Sequence, residues 1–234
     1  MSTVAVGREQ PTRTSGRRTG ELRYALVRLV PSAVLVWAII CGLGYLLTRP
    51  LRGTSFELWD GSVNRFFANH RSTEWNTVTH WVTFTAETYT VIAVGLVFFV
   101  AMRLRLRRWR ESLFLLTAVL GEVTIFVCST MIIDRPRPAV PHLDDAPPTS
   151  SFPSGHTAAA VTLYGALALI ALSSSRRPWL RALAVTVAIV APICVAFARL
   201  YRGMHYPTDL LAGALLGILW LTITATVVLI RPRP

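Results

Sequence analysis

The sequence predicts an all-α integral membrane protein: a bundle of six transmembrane helices with an amphipathic interfacial helix between the first two. Three observations carry this reading. The 234 residues are 53% hydrophobic with mean hydropathy +0.48, a balance that suits a small polytopic membrane protein better than a soluble domain. Six apolar stretches approach the about 20 residues needed to cross a bilayer core of ~30 Å. The 24 basic residues, all arginine, are divided unevenly between alternate connections.

Residues 1–22 are rich in Thr, Ser, Gly and Arg without apolar periodicity, and read as a basic cytoplasmic tail without fixed structure ahead of one membrane domain over 23–234. The first apolar run, near 24–48, is too long for a signal h-region and is expected to stay as the insertion anchor. From Arg49 to Glu87, Phe56, Leu58, Trp59, Val63, Phe66 and Phe67 recur at near-helical spacing among charges, followed by Trp75, Val78, Trp81 and Phe84. Such a segment lies in the outer interface, as an aromatic anchor or as part of a lipid entry path.

Further helices are expected near 85–102, 112–133, 155–174, 179–198 and 208–230. The third carries Glu122 deep in apolar sequence, where an ionisable group must face the bundle interior. Cys41, Cys128 and Cys194 fall inside helices without paired spacing and read as small packing residues. Sixteen arginines lie in the tail and the start of the first helix, at 103–110, at 176–181 and at the C-terminal end, against eight on the other side with eight acidic residues beside them. The positive-inside rule then puts both termini in the cytoplasm. The net charge of +12 belongs to that face, where it reflects topology and anionic lipid and not nucleic-acid binding.

Three strings fall on the opposite side. Arg135-Pro136-Arg137-Pro138 follows the third helix, Pro153-Ser154-Gly155-His156 opens the fourth, and Arg199, His205 and Asp209 span the turn into the sixth. Ser154 has the grammar of an N-cap, and free amides at such a helix start attract anions. His205 and Asp209 are four apart with Pro207 between them, a spacing at which a carboxylate can fix one imidazole nitrogen and leave the other free to attack. Arg137 and Arg199 offer planar forks that match phosphoryl oxygens. The chemistry indicated is that of a phosphate ester.

Together, Arg137-Pro138, the Pro-Ser-Gly-His string and the Arg199, His205, Asp209 spacing resemble the three-part motif of the type 2 phosphatidic acid phosphatase superfamily, over about residues 55–220. The resemblance implies a six-helix membrane core with its site at one face. It implies that His205 attacks phosphorus to form a phosphohistidine, that Asp209 holds its ring, and that His156 protonates the leaving oxygen and then activates water. Arg137, Arg199, Ser154 and the Gly155 amide would hold the phosphoryl oxygens, with no metal or other cofactor. His70, His80 and His142 match no motif position and read as surface residues.

Two positions depart from the family pattern. Thr130 stands where the family carries a lysine, and Ala198 replaces a usual serine. Loss of a charge-assisted bond costs about 1.5–3 kcal/mol, roughly ten- to a hundredfold in rate. Arg135 or Arg202 is the expected replacement charge. The function implied is hydrolysis of a lipid phosphate or polyprenyl pyrophosphate at the extracytoplasmic face. A lipid phosphotransferase and an impaired lipid-binding or transport protein are the alternatives. Substrate identity and oligomeric state are not encoded in these strings.

Overall fold

In hydrocarbon each backbone amide must be satisfied within its own segment, and the apolar stretches fold accordingly. A computed structural model describes residues 13–105, 107–146 and 148–230, with the side chains of 13–22, Thr88 and Arg105 left aside. Its elements are α1 (Arg13–Thr48), α2 (Ser55–Asn69), α3 (Thr73–Phe84), α4 (Thr88–Val100, continued by π-turns over Ala101–Arg105), α5 (Trp109–Ile132), α6 (Gly155–Ser174), α7 (Pro178–Tyr201) and α8 (Pro207–Thr224, continued by π-turns over Ala225–Ile230). No strand occurs among the described residues. The expected tail lies outside the described residues up to position 12, and α1 already begins at Arg13.

Five helices are long and apolar enough to cross a membrane: α1 from Arg23, α5, α6, α7, and α8 with its extension. A sixth crossing requires α3 and α4 to act as one span bent by 44°. The expected run over 85–102 is thus displaced to Thr88–Arg105, α4 with its π-turns, because the turn at Thr85–Glu87 breaks the backbone ladder between α3 and α4.

The central helix is α6, packed against α5, α7 and α8. Its buried face is largely small, with Ala158, Ala160, Ala166 and Ala168 beside Leu163 and Ile170, so neighbouring backbones come close. Gly213 and Gly217 of α8 exploit this: a Cβ on Gly213 would stand 2.3 Å from the Ser154 carbonyl oxygen, and one on Gly217 2.8 Å from Val161 Cβ. One core, with Val36, Ile40, Ile125, Phe152, Leu216 and Trp220, joins α1, α5, α6 and α8. A second, with Phe114, Leu115, Leu163 and Ile170, lies farther along the bundle.

The interfacial segment forms two helices, both apolar outward and polar inward. Leu58, Trp59 and Phe66 of α2 and Trp75, Val78 and Trp81 of α3 are exposed, while Asp60, Asn64, Thr79 and Thr83 are buried. Water would select the reverse arrangement, and a lipid surround selects this one. Glu122 is buried with Oε2 unpartnered, and the three cysteines are free, with Cys128 and Cys194 exposed.

The chain alternates direction so that the loops after α5 and α7 gather at one end. The C-terminal turns of α1 reach the same end, since a Cβ on Gly44 would meet Ile133 and Phe152. The arginine-rich connections lie at the other, where Arg108 bonds Ser174 and Arg110 bonds the Val228 carbonyl.

Candidate active site

At the gathered end, the described residues of 133–154 form no helix between α5 and α6, because Pro136, Pro138, Pro141 and Pro153 deny them a helical ladder. The loop is pinned from below by main-chain bonds: Ser151 N to Arg135 O at 2.9 Å, Ser154 N to Asp209 O at 3.0 Å and Leu143 N to Arg202 O at 3.1 Å. Facing it, α7 ends at Tyr201 and the chain turns through Gly203, whose φ of +78° suits glycine, into Pro207 at the start of α8. Arg71 fastens that turn from the α2–α3 connection, donating to the Tyr201 carbonyl through Nε at 3.2 Å and Nη2 at 3.0 Å, and to the Pro141 carbonyl at 2.7 Å.

His205 is buried in this turn. Its Nδ1 lies 2.7 Å from the Ser151 carbonyl oxygen. A carbonyl only accepts, so Nδ1 carries the proton and Nε2 keeps its lone pair. Burial first, then the positive charges of Arg199 and Arg137, hold the ring well below its ordinary pKa of 6.5, with the Ser151 bond opposing them. His205 is therefore neutral at neutral pH. The expected hydrogen bond from its ring to Asp209 is not made, since Asp209 Oδ2 stands 4.0 Å from Nδ1. Asp209 instead accepts from Tyr206 N at 2.9 Å through Oδ2 and from Arg135 through Oδ1, and the nearer Ser151 carbonyl takes its place at the ring.

Arg135 joins two carboxylates. Its Nη1 bonds Asp209 and, at 2.8 Å, Thr208 Oγ1, its Nη2 bonds Asp60 at 2.6 Å, and its guanidinium stacks 4.3 Å from the Tyr206 ring centre. Asp60, fully buried on α2, also accepts from Thr208 N and from Thr208 Oγ1. Arg202 is equally engaged: with Asp144 through Nε and Nη2, with the Leu143 and Asn76 carbonyls, and with Thr79 Oγ1. Thr130 turns its hydroxyl to the Val127 carbonyl of its own helix, 2.9 Å away.

Arg137 and Arg199 differ from these. Arg137 donates through Nη1 to the Met204 carbonyl at 2.8 Å and Arg199 through Nη1 to Asp144 at 2.7 Å, yet the Nε of each is buried without a partner. A buried unsatisfied N–H costs about 1–3 kcal/mol, more when charged, so these two N–H groups beside His205 are donors with capacity left for an acceptor. Ser154 caps α6, its hydroxyl 3.1 Å from Thr157 Oγ1. His156 stands half-buried in the first turn of α6, near enough to Arg199, Arg137 and Asp144 to feel their charges. Beside the site, a groove of about 280 Å³ opens between α1, α2 and α8, lined by Leu43, Leu47, Leu51, Phe56, Phe152 and Leu211.

Residues 111–233, more than half of the chain, match the model of the PAP2 superfamily. The chain belongs to the PAP2 superfamily. Among curated relatives, it is 35% identical over 107 residues to an undecaprenyl-diphosphatase of Sulfolobus acidocaldarius, a match covering 44% of this chain and 46% of that protein. It is 29% identical over 158 residues to the bacitracin transport permease protein BcrC of Bacillus licheniformis, covering 65% of this chain and 73% of that one. In fold it is similar to the transmembrane PAP2 type phosphatidylglycerolphosphate phosphatase of Bacillus subtilis, with TM-score 0.71, 21% identity, and 83% and 94% of the two chains covered. LpxE of Aquifex aeolicus follows with TM-score 0.56, 23% identity, and 70% and 93% covered.

The PAP2 strings thus meet at one end of the bundle, and the histidines outside them do not: His70, His80 and His142 are exposed. Two carboxylates that pair with the site arginines, Asp60 and Asp144, were not singled out from sequence. Asp60 did leave a signal, an Asp60–Asn64 polar pair at helical spacing within an aromatic segment; Asp144 left none beyond being acidic in a proline-rich loop. Among the described residues no group of three or more His, Cys, Asp or Glu side chains is arranged to hold a metal ion.

Proposed function

We propose that the protein is a membrane phosphatase that hydrolyses a lipid phosphate or polyprenyl diphosphate at the extracytoplasmic face through a phosphohistidine on His205. One observation carries this reading: a neutral histidine with a free Nε2 lies beside two arginines that each present a buried, unpartnered Nε–H.

The residues can perform each step. The phosphoryl oxygens bond Arg137, Arg199 and the free amides at the start of α6, which neutralise charge as it develops. The His205 Nε2 lone pair attacks phosphorus in line, and the bond to the lipid oxygen breaks. His156, protonated while the anionic phosphate lies beside it, gives that proton to the oxygen and is left neutral. His156 then takes a proton from water, whose oxygen attacks phosphorus and breaks the P–N bond, releasing phosphate and restoring His205. The positive charge is supplied by arginine, so no metal enters these steps.

Charge supports the extracytoplasmic side: the site lies opposite the arginine-rich connections, which the positive-inside rule favours in the cytoplasm. The apolar groove supports a lipid substrate, because Phe152 and Thr208 border both it and the catalytic turn, so a chain lying there brings its headgroup to His205. A polyprenyl diphosphate is favoured within this class by the likeness to the Sulfolobus undecaprenyl-diphosphatase. The test is phosphate release by detergent-solubilised protein across polyprenyl diphosphate, phosphatidic acid and phosphatidylglycerol phosphate. Release without an added acceptor, inhibited by orthovanadate, supports hydrolysis. No release from any of the three contradicts it.

A further inference from the structure

Arg199 is aimed by a chain of contacts that begins outside the three motif strings. Its Nη1 is held by Asp144 Oδ2 at 2.7 Å. The same carboxylate takes a fork from Arg202: Nε at 2.8 Å to each oxygen and Nη2 at 2.5 Å to Oδ1. Arg202 is fixed in turn by α3, donating to the Asn76 carbonyl at 3.0 Å and Thr79 Oγ1 at 3.2 Å, and by the loop itself, donating to the Leu143 carbonyl at 2.8 Å. Both arginines are 4% exposed, whereas the Asp144 side chain reaches the rim at 21%.

From this geometry we infer that Asp144, neutralised by Arg202, is a positioning residue that orients Arg199 toward the phosphoryl group. The inference rests on the phosphatase reading above. Two features separate it from a plain structural ion pair. Asp144 engages only the Nη1 end of Arg199 and leaves its buried Nε without a partner, so the contact fixes the guanidinium while sparing an edge. The charges also balance: one carboxylate between two guanidinium groups leaves a net positive charge for the ligand only while Arg202 is present. Burial would raise the Asp144 pKa, but the Arg202 bonds and the charges of Arg199 and Arg202 outweigh it and hold the group below its ordinary value.

Arg202 thereby serves the site without touching substrate. It cancels a negative charge that would otherwise sit on Arg199, in a chain where Thr130 supplies none of the positive charge a lysine would.

The test compares kcat/KM for polyprenyl diphosphate and the inhibition constant of orthovanadate in the parent, Asp144→Asn, Arg202→Gln and the double variant, with the thermal midpoint of each in detergent. Asp144→Asn should weaken vanadate binding and lower kcat/KM by about tenfold, the scale of one charge-assisted bond. Arg202→Gln should lose more, about a hundredfold, because the Asp144 charge is left facing the anion. Adding Asp144→Asn to Arg202→Gln should recover a good part of that loss. A purely structural pair predicts that losses in kcat/KM follow the thermal midpoint while the vanadate inhibition constant of every folded variant stays at the parent value, and that result overturns the inference. If Arg202→Gln does not fold, Asp144→Asn and Asp144→Glu decide: vanadate affinity at the parent level in both overturns it, and weakening in Asp144→Asn with partial rescue in Asp144→Glu supports it. A parent that releases phosphate while all variants match it removes the positioning role alone. A parent that neither turns over nor binds vanadate removes the phosphatase reading, and the inference with it.

Discussion

The Ser151 carbonyl sets the tautomer of His205, and burial beside Arg199 and Arg137 keeps the ring neutral. Protonation would consume the lone pair that the proposed mechanism uses to attack phosphorus. With the free-protein pKa well below 6.5, kcat/KM should hold as pH falls through 6.5 and decline only below it, once the substrate's own ionisation is corrected for. A decline centred at or above 6.5 would contradict a neutral resting His205. Asp60 makes a second residue-level prediction. It is fully buried and satisfies Arg135, Thr208 N and Thr208 Oγ1, and removing one partner of a buried pair costs about 3–5 kcal/mol. Asp60→Ala should lower the thermal midpoint in detergent far more than Ser62→Ala one turn-face away, whose hydroxyl bonds only the Trp59 carbonyl of its own helix. The motif residues were legible because their spacing is local. Asp144 and the Ser151 carbonyl were not, since what selects them is the path of a proline-rich loop through space and, for Ser151, a main-chain atom that no side-chain pattern records.

Helices α6 and α8 meet through glycine, and this contact builds the site as much as it builds the bundle. The Gly213 and Gly217 spacing lets the backbone of α8 approach Ser154 and Ala158, while Asp209 at the start of α8 accepts Ser154 N through its carbonyl. Gly213→Val must therefore displace the Ser154 cap, and should cost both midpoint and at least about tenfold in kcat/KM. Gly42→Val, where a Cβ meets nothing within 4 Å, is the matched control and should change neither. Five of the helices were legible from apolar length. The region between Arg49 and Val100 was less so: one interfacial helix and one span were expected, and three shorter helices form, because breaks at His70–Ser72 and Thr85–Glu87 divide it. Hydrophobic periodicity found the apolar faces of α2 and α3, but it is silent on their partner; only the burial of Asp60, Asn64, Thr79 and Thr83 shows that the polar side faces the protein. Leu211, exposed in the groove beside α2, tests the lipid path: Leu211→Trp should raise KM severalfold for a long-chain substrate and leave a short-chain phosphate ester unaffected.

At the scale of the molecule, the proposed orientation rests on charge and fold together. The loops that carry the three strings gather at one end, and the arginine-rich connections at the other. With Cys41, Cys128 and Cys194 replaced by Ala, a cysteine at exposed Arg52 should react with a membrane-impermeant thiol reagent in intact cells, and one at exposed Arg177 only after permeabilisation. The reverse pattern would place the site in the cytoplasm. The central claim is that His205 is the nucleophile of a phosphatase, and the rate of phosphate release by His205→Ala in detergent tests it most directly. Loss of a covalent nucleophile should reduce kcat by at least about a thousandfold with the thermal midpoint retained. Release at the parent rate by a folded His205→Ala protein would contradict the account.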